Sequence, residues 1–184
     1  MKIAFVGPAA VGKDVVSEYL SEKYSLKHIS SGDIIREYIL KNNLGELNRK
    51  NLQLTGNKLR KERGGDVLVK IALENSDKDG ANGLILSGLR AIDEVETFKK
   101  LGGTVIGITA PIEQRYNLAK KRGRIGENIS FDDFRKIEDE EDLNSDRNGQ
   151  NVSRVVSMAD ITIVNDGTLE ELFAKCERVV GEIM

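Results

Sequence analysis

The sequence predicts an α/β sandwich, a five-stranded parallel sheet covered by helices on both faces. Short apolar runs alternate with amphipathic stretches from end to end of the 184 residues, the order of strands joined by helical crossovers. The strand runs are apolar throughout rather than at every second position, the pattern of strands buried on both sides. A glycine-bounded loop follows the first run directly and opens a helix.

The first strand is Lys2–Val6. It leads into Gly7-Pro8-Ala9-Ala10-Val11-Gly12-Lys13, the G-x-x-x-x-G-K spacing of a phosphate-cradling P-loop. Gly7 and Gly12 let the backbone curl so that successive N–H groups point inward at phosphate oxygens. The helix that follows, over 12–24, adds its positive N-terminal end. Lys13 supplies a mobile cation for β and γ phosphates. Gly7, Ala9, Ala10, Val11, Gly12, Lys13 and Asp14 are the expected nucleotide-binding residues. A dinucleotide turn needs G-x-G-x-x-G, and Ala9 stands where its second glycine belongs. Asp14 occupies the place of the Ser or Thr that ordinarily lends a hydroxyl to Mg2+. The metal site is therefore expected to be built differently or to be absent.

The second strand, 26–29, runs into Ser30-Ser31-Gly32-Asp33-Ile34-Ile35-Arg36. Ser31 is placed to cap a helix over 32–42, and Arg36 follows about one turn later. The fork of Arg36 suits a phosphate. Asp33 suits an acceptor hydroxyl or phosphate; its plainer role is a first-turn carboxylate complementing the helix dipole. Helices over 49–63 and 67–76 come next. Roughly fifty residues of helix precede the third strand, 83–87, far more than a crossover needs. A helix over 91–101, a strand over 104–109 and a helix over 112–122 complete the next crossover. The stretch from 122 to 151 is highly charged. Within it Ser130 has Asp133 at the capping-box position, and the acid-rich helix it opens is expected to be solvated. A strand over 161–164 and a helix over 169–184 close the chain. The insertions at about 32–76 and about 122–150 are expected to form an acceptor pocket and a closing lid.

One domain accommodates 184 residues. A formal net charge of −2 argues against a broad grip on nucleic acid or anionic membrane. No apolar run approaches the ~20 residues of a bilayer span, and the first run is too short for a secretory signal. Cys176 is the single cysteine, which allows no internal disulfide and suits a reducing cytosol, so a cytoplasmic location is expected. With no Trp there is little to stack on single strands. His28, the single histidine, lies in a short strand and is read as structural; no Cys/His cluster offers a zinc site.

These motifs carry a family resemblance. SSGDIIR, residues 30–36, resembles the S-[ST]-G-D-x-x-R element of adenylate kinase and other nucleoside monophosphate kinases, where it opens the acceptor-binding helices. Residues 48–66 are similar to a helix of deoxynucleoside monophosphate kinases that reads R-x-x-L-Q-x-x-G-x-x-x-R, matched by Arg49, Leu52, Gln53, Gly56 and Arg60. Those kinases, and animal phosphomevalonate kinases, also carry G-K-D. Ser87-Gly88-Leu89-Arg90 stands where related kinases read D-G-x-R or S-D-x-R. The resemblance implies that Arg90 contacts the acceptor. It also exposes a missing metal carboxylate at 87 and 88, which we read as an exchange: Asp14 carries the charge and Ser87 the neutral oxygen. APIEQRYNLAKKRGR, residues 110–124, looks like the start of the lid-bearing helix in nucleotide kinases and dephospho-CoA kinases. Arg115 lies on that helix, with an i,i+4 surface pair as its alternative, and Arg122 and Arg124 lie at its end. Residues 159–172 resemble the closing strand and helix of dephospho-CoA kinases and archaeal adenylate-kinase-related proteins, where a turn contacts adenine. Asn165, Asp166 and Gly167 read as that turn, and Thr168 with Glu171 as a capping box.

The resemblance spans nearly the whole chain. It implies a P-loop NTPase three-layer sandwich of nucleoside monophosphate kinase type that moves the γ-phosphoryl group of ATP, with Mg2+, to a small phosphorylated acceptor. Lys13, Asp33, Arg122 and Arg124 are the expected catalytic residues, Asp33, Arg36, Arg60 and Arg90 the acceptor-binding ones, and Asp14 and Ser87 the metal ligands. The acceptor expected first is a nucleoside or deoxynucleoside monophosphate. Dephospho-CoA comes second and phosphomevalonate third. A nucleotide-binding switch without turnover is the reading of another class, favoured by the missing carboxylate and opposed by the acceptor-side arginines. Small molecules are the expected partners of a monomer or homodimer, with no nucleic acid and no membrane.

Overall fold

Five parallel strands make one sheet in the order β2-β3-β1-β4-β5. They are β1 (Lys2–Val6), β2 (Lys27–Ser30), β3 (Leu84–Ser87), β4 (Thr104–Thr109) and β5 (Ile161–Val164). The computed structural model describes residues 1–78, 80–123, 129–142 and 150–183. Helices α1 (Lys13–Tyr24), α2 (Ser31–Lys41), α3 (Arg49–Arg63), α4 (Val67–Lys78) and α5 (Ile92–Lys100) join the first four strands. Helices α6 (Ile112–Arg122), α7 (Phe131–Asp142) and α8 (Val152–Ser157) lie between β4 and β5, and α9 (Leu169–Ile183) follows β5.

Alternate residues of a strand face opposite sides of the sheet, and here both sides are dry. Ala4 and Val6 of β1 enter a core with Ile39 of α2, Leu59 of α3, Leu68 of α4, Phe98 of α5 and Val155 of α8. Ile3 and Phe5 enter a second core with Val16 and Leu20 of α1 and Leu172, Cys176 and Val180 of α9. Two-sided burial is the reason that the strand runs are apolar throughout. The connection from β1 to β2 and that from β3 to β4 leave in opposite directions across the sheet. The crevice at the carboxyl ends of β1 and β3 is thus the switch point where α/β sheets take their ligands.

Both P-loop glycines are favoured by close approach and by backbone conformation. A Cβ on Gly7, at φ +150°, would stand 2.2 Å from the Ile108 carbonyl oxygen of β4. One on Gly12, at φ +101°, would stand 2.8 Å from Leu172 Cδ2 of α9. Backbone blocks a side chain at Gly7, and at Gly12 the left-handed φ disfavours one even if Leu172 shifts.

Several expectations need correction. The residue capping α2 is Ser30, which makes no side-chain cap bond; the Ser31 hydroxyl instead donates to the Gly88 carbonyl at 2.6 Å. Helix α8 was not expected. Six residues show too little periodicity to read, although Asn151 caps it by accepting from the Arg154 amide at 3.0 Å. The acid-rich helix α7 is not solvated all round: Phe134 is buried and Glu138 half-buried, while Asp132, Asp133 and Asp139 face outward. Ser130 caps it as expected, accepting from the Asp133 amide at 3.1 Å. Arg124 and much of the expected lid lie outside the described residues, as does Met184. No described helix is long and apolar enough to cross a membrane.

Candidate active site

The P-loop joins β1 to α1 above the middle of the sheet. The side chain of Lys13 is buried, and its Nζ donates to the Pro8 carbonyl at 2.7 Å. In the first turn of α1, Asp14 Oδ1 accepts from the Ser87 hydroxyl at 3.1 Å. Ser87 Oγ also lies 3.0 Å from His28 Nε2. A hydroxyl has one proton. Given to Asp14, it leaves Ser87 to accept from Nε2–H of a neutral imidazole. Burial pushes His28 below its usual pKa, against the opposing pull of Asp14, Glu18 and Asp33, which favours that neutral form. His28, read from sequence as structural, is therefore tied to the pair expected to hold the metal.

A cavity of about 450 Å3 opens over this floor. Lys13 and Asp14 line it, with Arg36 from α2, Arg49 and Arg60 from α3, Arg90 after β3 and Arg122 at the end of α6. Five guanidinium groups and one ammonium thus meet a single carboxylate among the described lining residues. Ile35, Leu47 and Leu52 form an apolar patch beside the amide of Gln53. The arrangement attracts polyanions and offers a flat neutral group somewhere to rest.

Each expected residue among the described ones has a definite place. Arg36 Nη1 pairs with Asp33 Oδ1 at 2.5 Å. The Asp33 carboxylate is 70% exposed and lies outside the cavity lining, beyond Arg36. Arg60 is buried, with Nε on Glu94 Oε1 at 2.8 Å and Nη1 on Asn57 Oδ1 at 3.3 Å. Arg90 Nη1 reaches Gln150 Oε1 at 3.5 Å. Arg49 rests its guanidinium over the Phe134 ring, 5.6 Å from the centroid.

Arg115 is buried rather than a surface residue. It makes neither an i,i+4 surface pair nor part of the arginine-lined cavity. Buried, it holds both oxygens of Glu138 on α7, at 2.5 and 2.6 Å from Nη1. Its Nε donates to the Ala110 carbonyl at 3.1 Å, and Nη1 reaches the Ala9 carbonyl of the P-loop at 3.5 Å. The side chain pins α7 to the phosphate loop.

Three further contributors escaped the sequence reading. Glu94 is fully buried and takes the Arg60 side chain together with the Arg90 and Ala91 amides. Its signal is its place at the third position of α5, where a capping glutamate belongs. Glu138 shares a helix face with Phe134, four residues earlier. Asn165, read as a turn residue, is buried and donates from Nδ2 to the Val11 carbonyl at 3.1 Å, bracing the P-loop from β5. Thr168 and Glu171 form the expected capping box: the Thr168 amide donates to Glu171 Oε2 at 2.8 Å, and the Glu171 amide to Thr168 Oγ1 at 3.2 Å.

The donor set fits magnesium. Asp14 supplies a hard oxygen on the cavity wall, and Ser87, fully buried and outside the lining, supplies a second 3.1 Å behind it. No group of three or more His, Cys, Asp and Glu converges among the described residues. A cation that keeps most of its waters and takes the rest of its ligands from phosphates asks for no more than one or two protein oxygens.

Known proteins place this site in a family context. A family model described as an AAA domain matches residues 3–144. The chain is 32% identical to a UPF0200 protein of Thermococcus kodakarensis, over 100% of this chain and 98% of that one. It is 33% identical to a UPF0200 protein of Methanosarcina acetivorans, over 91% of this chain and 87% of that one. These relatives carry the UPF0200 name and not that of adenylate kinase or dephospho-CoA kinase. Among solved structures, shikimate kinase from Bacteroides thetaiotaomicron superposes with a TM-score of 0.63 at 14% identity, over 98% of each chain. Shikimate kinase from Aquifex aeolicus does so with a TM-score of 0.56 at 19% identity, over 99% of this chain and 97% of that one. The fold is that of a P-loop NTPase, shared with these small-molecule kinases.

Proposed function

We propose that this chain, which belongs to the UPF0200 proteins and to the AAA domain family over residues 3–144, is an ATP-dependent small-molecule kinase. The observation that carries the reading is a single cavity of about 450 Å3 lined by the P-loop lysine and by Arg36, Arg60, Arg90 and Arg122. Phosphoryl transfer between two phosphorylated molecules requires a triphosphate tail and a second anion side by side, and this concentration of cations suits both.

In this reading the loop amides and Lys13 hold the β and γ phosphates. Arg36, Arg60 and Arg90 hold the acceptor's phosphate, with Asp33 at the rim beside an acceptor hydroxyl. Arg122, together with the expected catalytic Arg124, answers the charge spread over the transferring group. Asp14 and Ser87 would hold magnesium, which would supply offsetting positive charge for the phosphates. Catalysis is then positioning and charge stabilisation, with α7 helping to exclude water.

The acceptor best suited is a nucleoside or deoxynucleoside monophosphate, because Gln53 and the apolar patch of Ile35, Leu47 and Leu52 offer a base a face and an edge. Dephospho-CoA and phosphomevalonate follow. A nucleotide switch without turnover is favoured by one observation, that Ser87 and Gly88 replace the carboxylate of related kinases. A coupled ADP-release assay with ribo- and deoxyribonucleoside monophosphates, dephospho-CoA and phosphomevalonate distinguishes these readings. Turnover confined to one acceptor class supports the kinase. Tight ATP binding with uniform inactivity supports the switch.

A further inference from the structure

We infer that Glu94 is the positioning residue of the acceptor pocket, fixing the Arg60 guanidinium so that its outer edge is presented ready-made to the phosphate of a phosphomonoester. This deepens the kinase reading and rests on it.

Glu94 and Arg60 are 34 residues apart, on α5 and α3, and their side chains are 0% and 1% exposed. One oxygen of Glu94 takes Arg60 Nε at 2.8 Å. The other takes two backbone amides, Arg90 at 2.7 Å and Ala91 at 3.0 Å. One carboxylate therefore sets two acceptor-side arginines in register, the first through its side chain and the second through the turn that carries it. Because Glu94 engages Nε and Asn57 Oδ1 takes one Nη1 hydrogen at 3.3 Å, the remaining Nη hydrogens are left for a ligand of the cavity that Arg60 lines. A guanidinium fork gives up much of its rotamer freedom when it is clamped. Here that loss is taken during folding, so an incoming dianion meets a preorganised donor pair.

The chemistry of glutamine separates this role from a structural one. Glutamine has a single acceptor oxygen. Turned toward the Arg90 and Ala91 amides, it keeps the start of α5 intact and faces Arg60 Nε with an NH2 group, donor against donor. Glu94→Gln thus releases Arg60 while keeping the helix start.

The test uses the whole chain saturated with ADP and magnesium, titrated calorimetrically with inorganic phosphate. Glu94→Gln is expected to weaken phosphate binding about tenfold or more while leaving ADP affinity within about twofold. In an Arg60→Met background, adding Glu94→Gln is expected to change phosphate affinity by less than about twofold, because the partner is already gone. That comparison stands even if the single Glu94 variant folds poorly, since the double variant removes the buried pair together. Unchanged phosphate affinity in Glu94→Gln overturns the inference. So does an equal loss of ADP and phosphate affinity, or a full effect that persists without Arg60. Failure of the unmodified chain to bind ADP would instead overturn the kinase reading itself.

Discussion

Asp14, which lines the cavity, bonds at 3.1 Å to Ser87, which is fully buried behind it. In the proposed reading, a carboxylate on the P-loop helix and a hydroxyl at the end of β3 exchange the places expected from the kinase resemblance while keeping the local charge. The inversion is testable at these two positions alone. Asp14→Ser leaves two hydroxyls and no negative charge. Ser87→Asp sets two carboxylates against each other, which pushes one of them toward its neutral form. Each single change is expected to lower kcat/KM with magnesium on the order of 100-fold, and the double exchange to recover about tenfold of that loss. Equal losses in all three variants would show that the two side chains do not share one task. His28 belongs to the same chain of bonds through Ser87. Nothing in its local sequence announces this, because the partner is 59 residues away and is delivered by the pairing of β2 with β3.

At the scale of elements, α7 is held by more than a hydrophobic face. Phe134 sits beneath two guanidinium groups, Arg49 at 5.6 Å and Arg115 at 6.0 Å from its centroid. Glu138 pairs with Arg115, which reaches the P-loop through the Ala9 carbonyl. Helix α7 is thereby latched to the phosphate loop. Removing Glu138 leaves a buried guanidinium short of its partner and should loosen α7. Glu138→Ala is expected to cost about 1–3 kcal/mol and to speed tryptic cleavage after Arg135 and Lys136 about tenfold. An unchanged cleavage rate would mean that Phe134 packing alone holds the helix. Element type and order were legible wherever an apolar run or an amphipathic period was long enough. Helix α8, at six residues, was not, and neither was the inward face of α7, whose run of acids masks the spacing of Phe134 and Glu138.

For the molecule as a whole, the sheet order brings the motifs together. The P-loop after β1, the 30–36 segment after β2 and the 87–90 segment after β3 emerge at one edge because their three strands are neighbours in the order β2-β3-β1. That convergence was readable from the parallel α/β pattern, since every strand of such a sheet delivers its loop to the same side. The partners that tune the site were not readable: Glu94 for Arg60, Glu138 for Arg115 and Asn165 for the Val11 carbonyl are tertiary pairings across 34, 23 and 154 residues. The most direct measurement is calorimetric titration of the whole chain with ATP and magnesium, beside the Lys13→Met variant. Binding at one site per chain, weakened about 100-fold by the variant, is the expected result. No heat with ATP or GTP in the presence of magnesium, or equal binding by both proteins, would contradict a phosphate cradle at this loop.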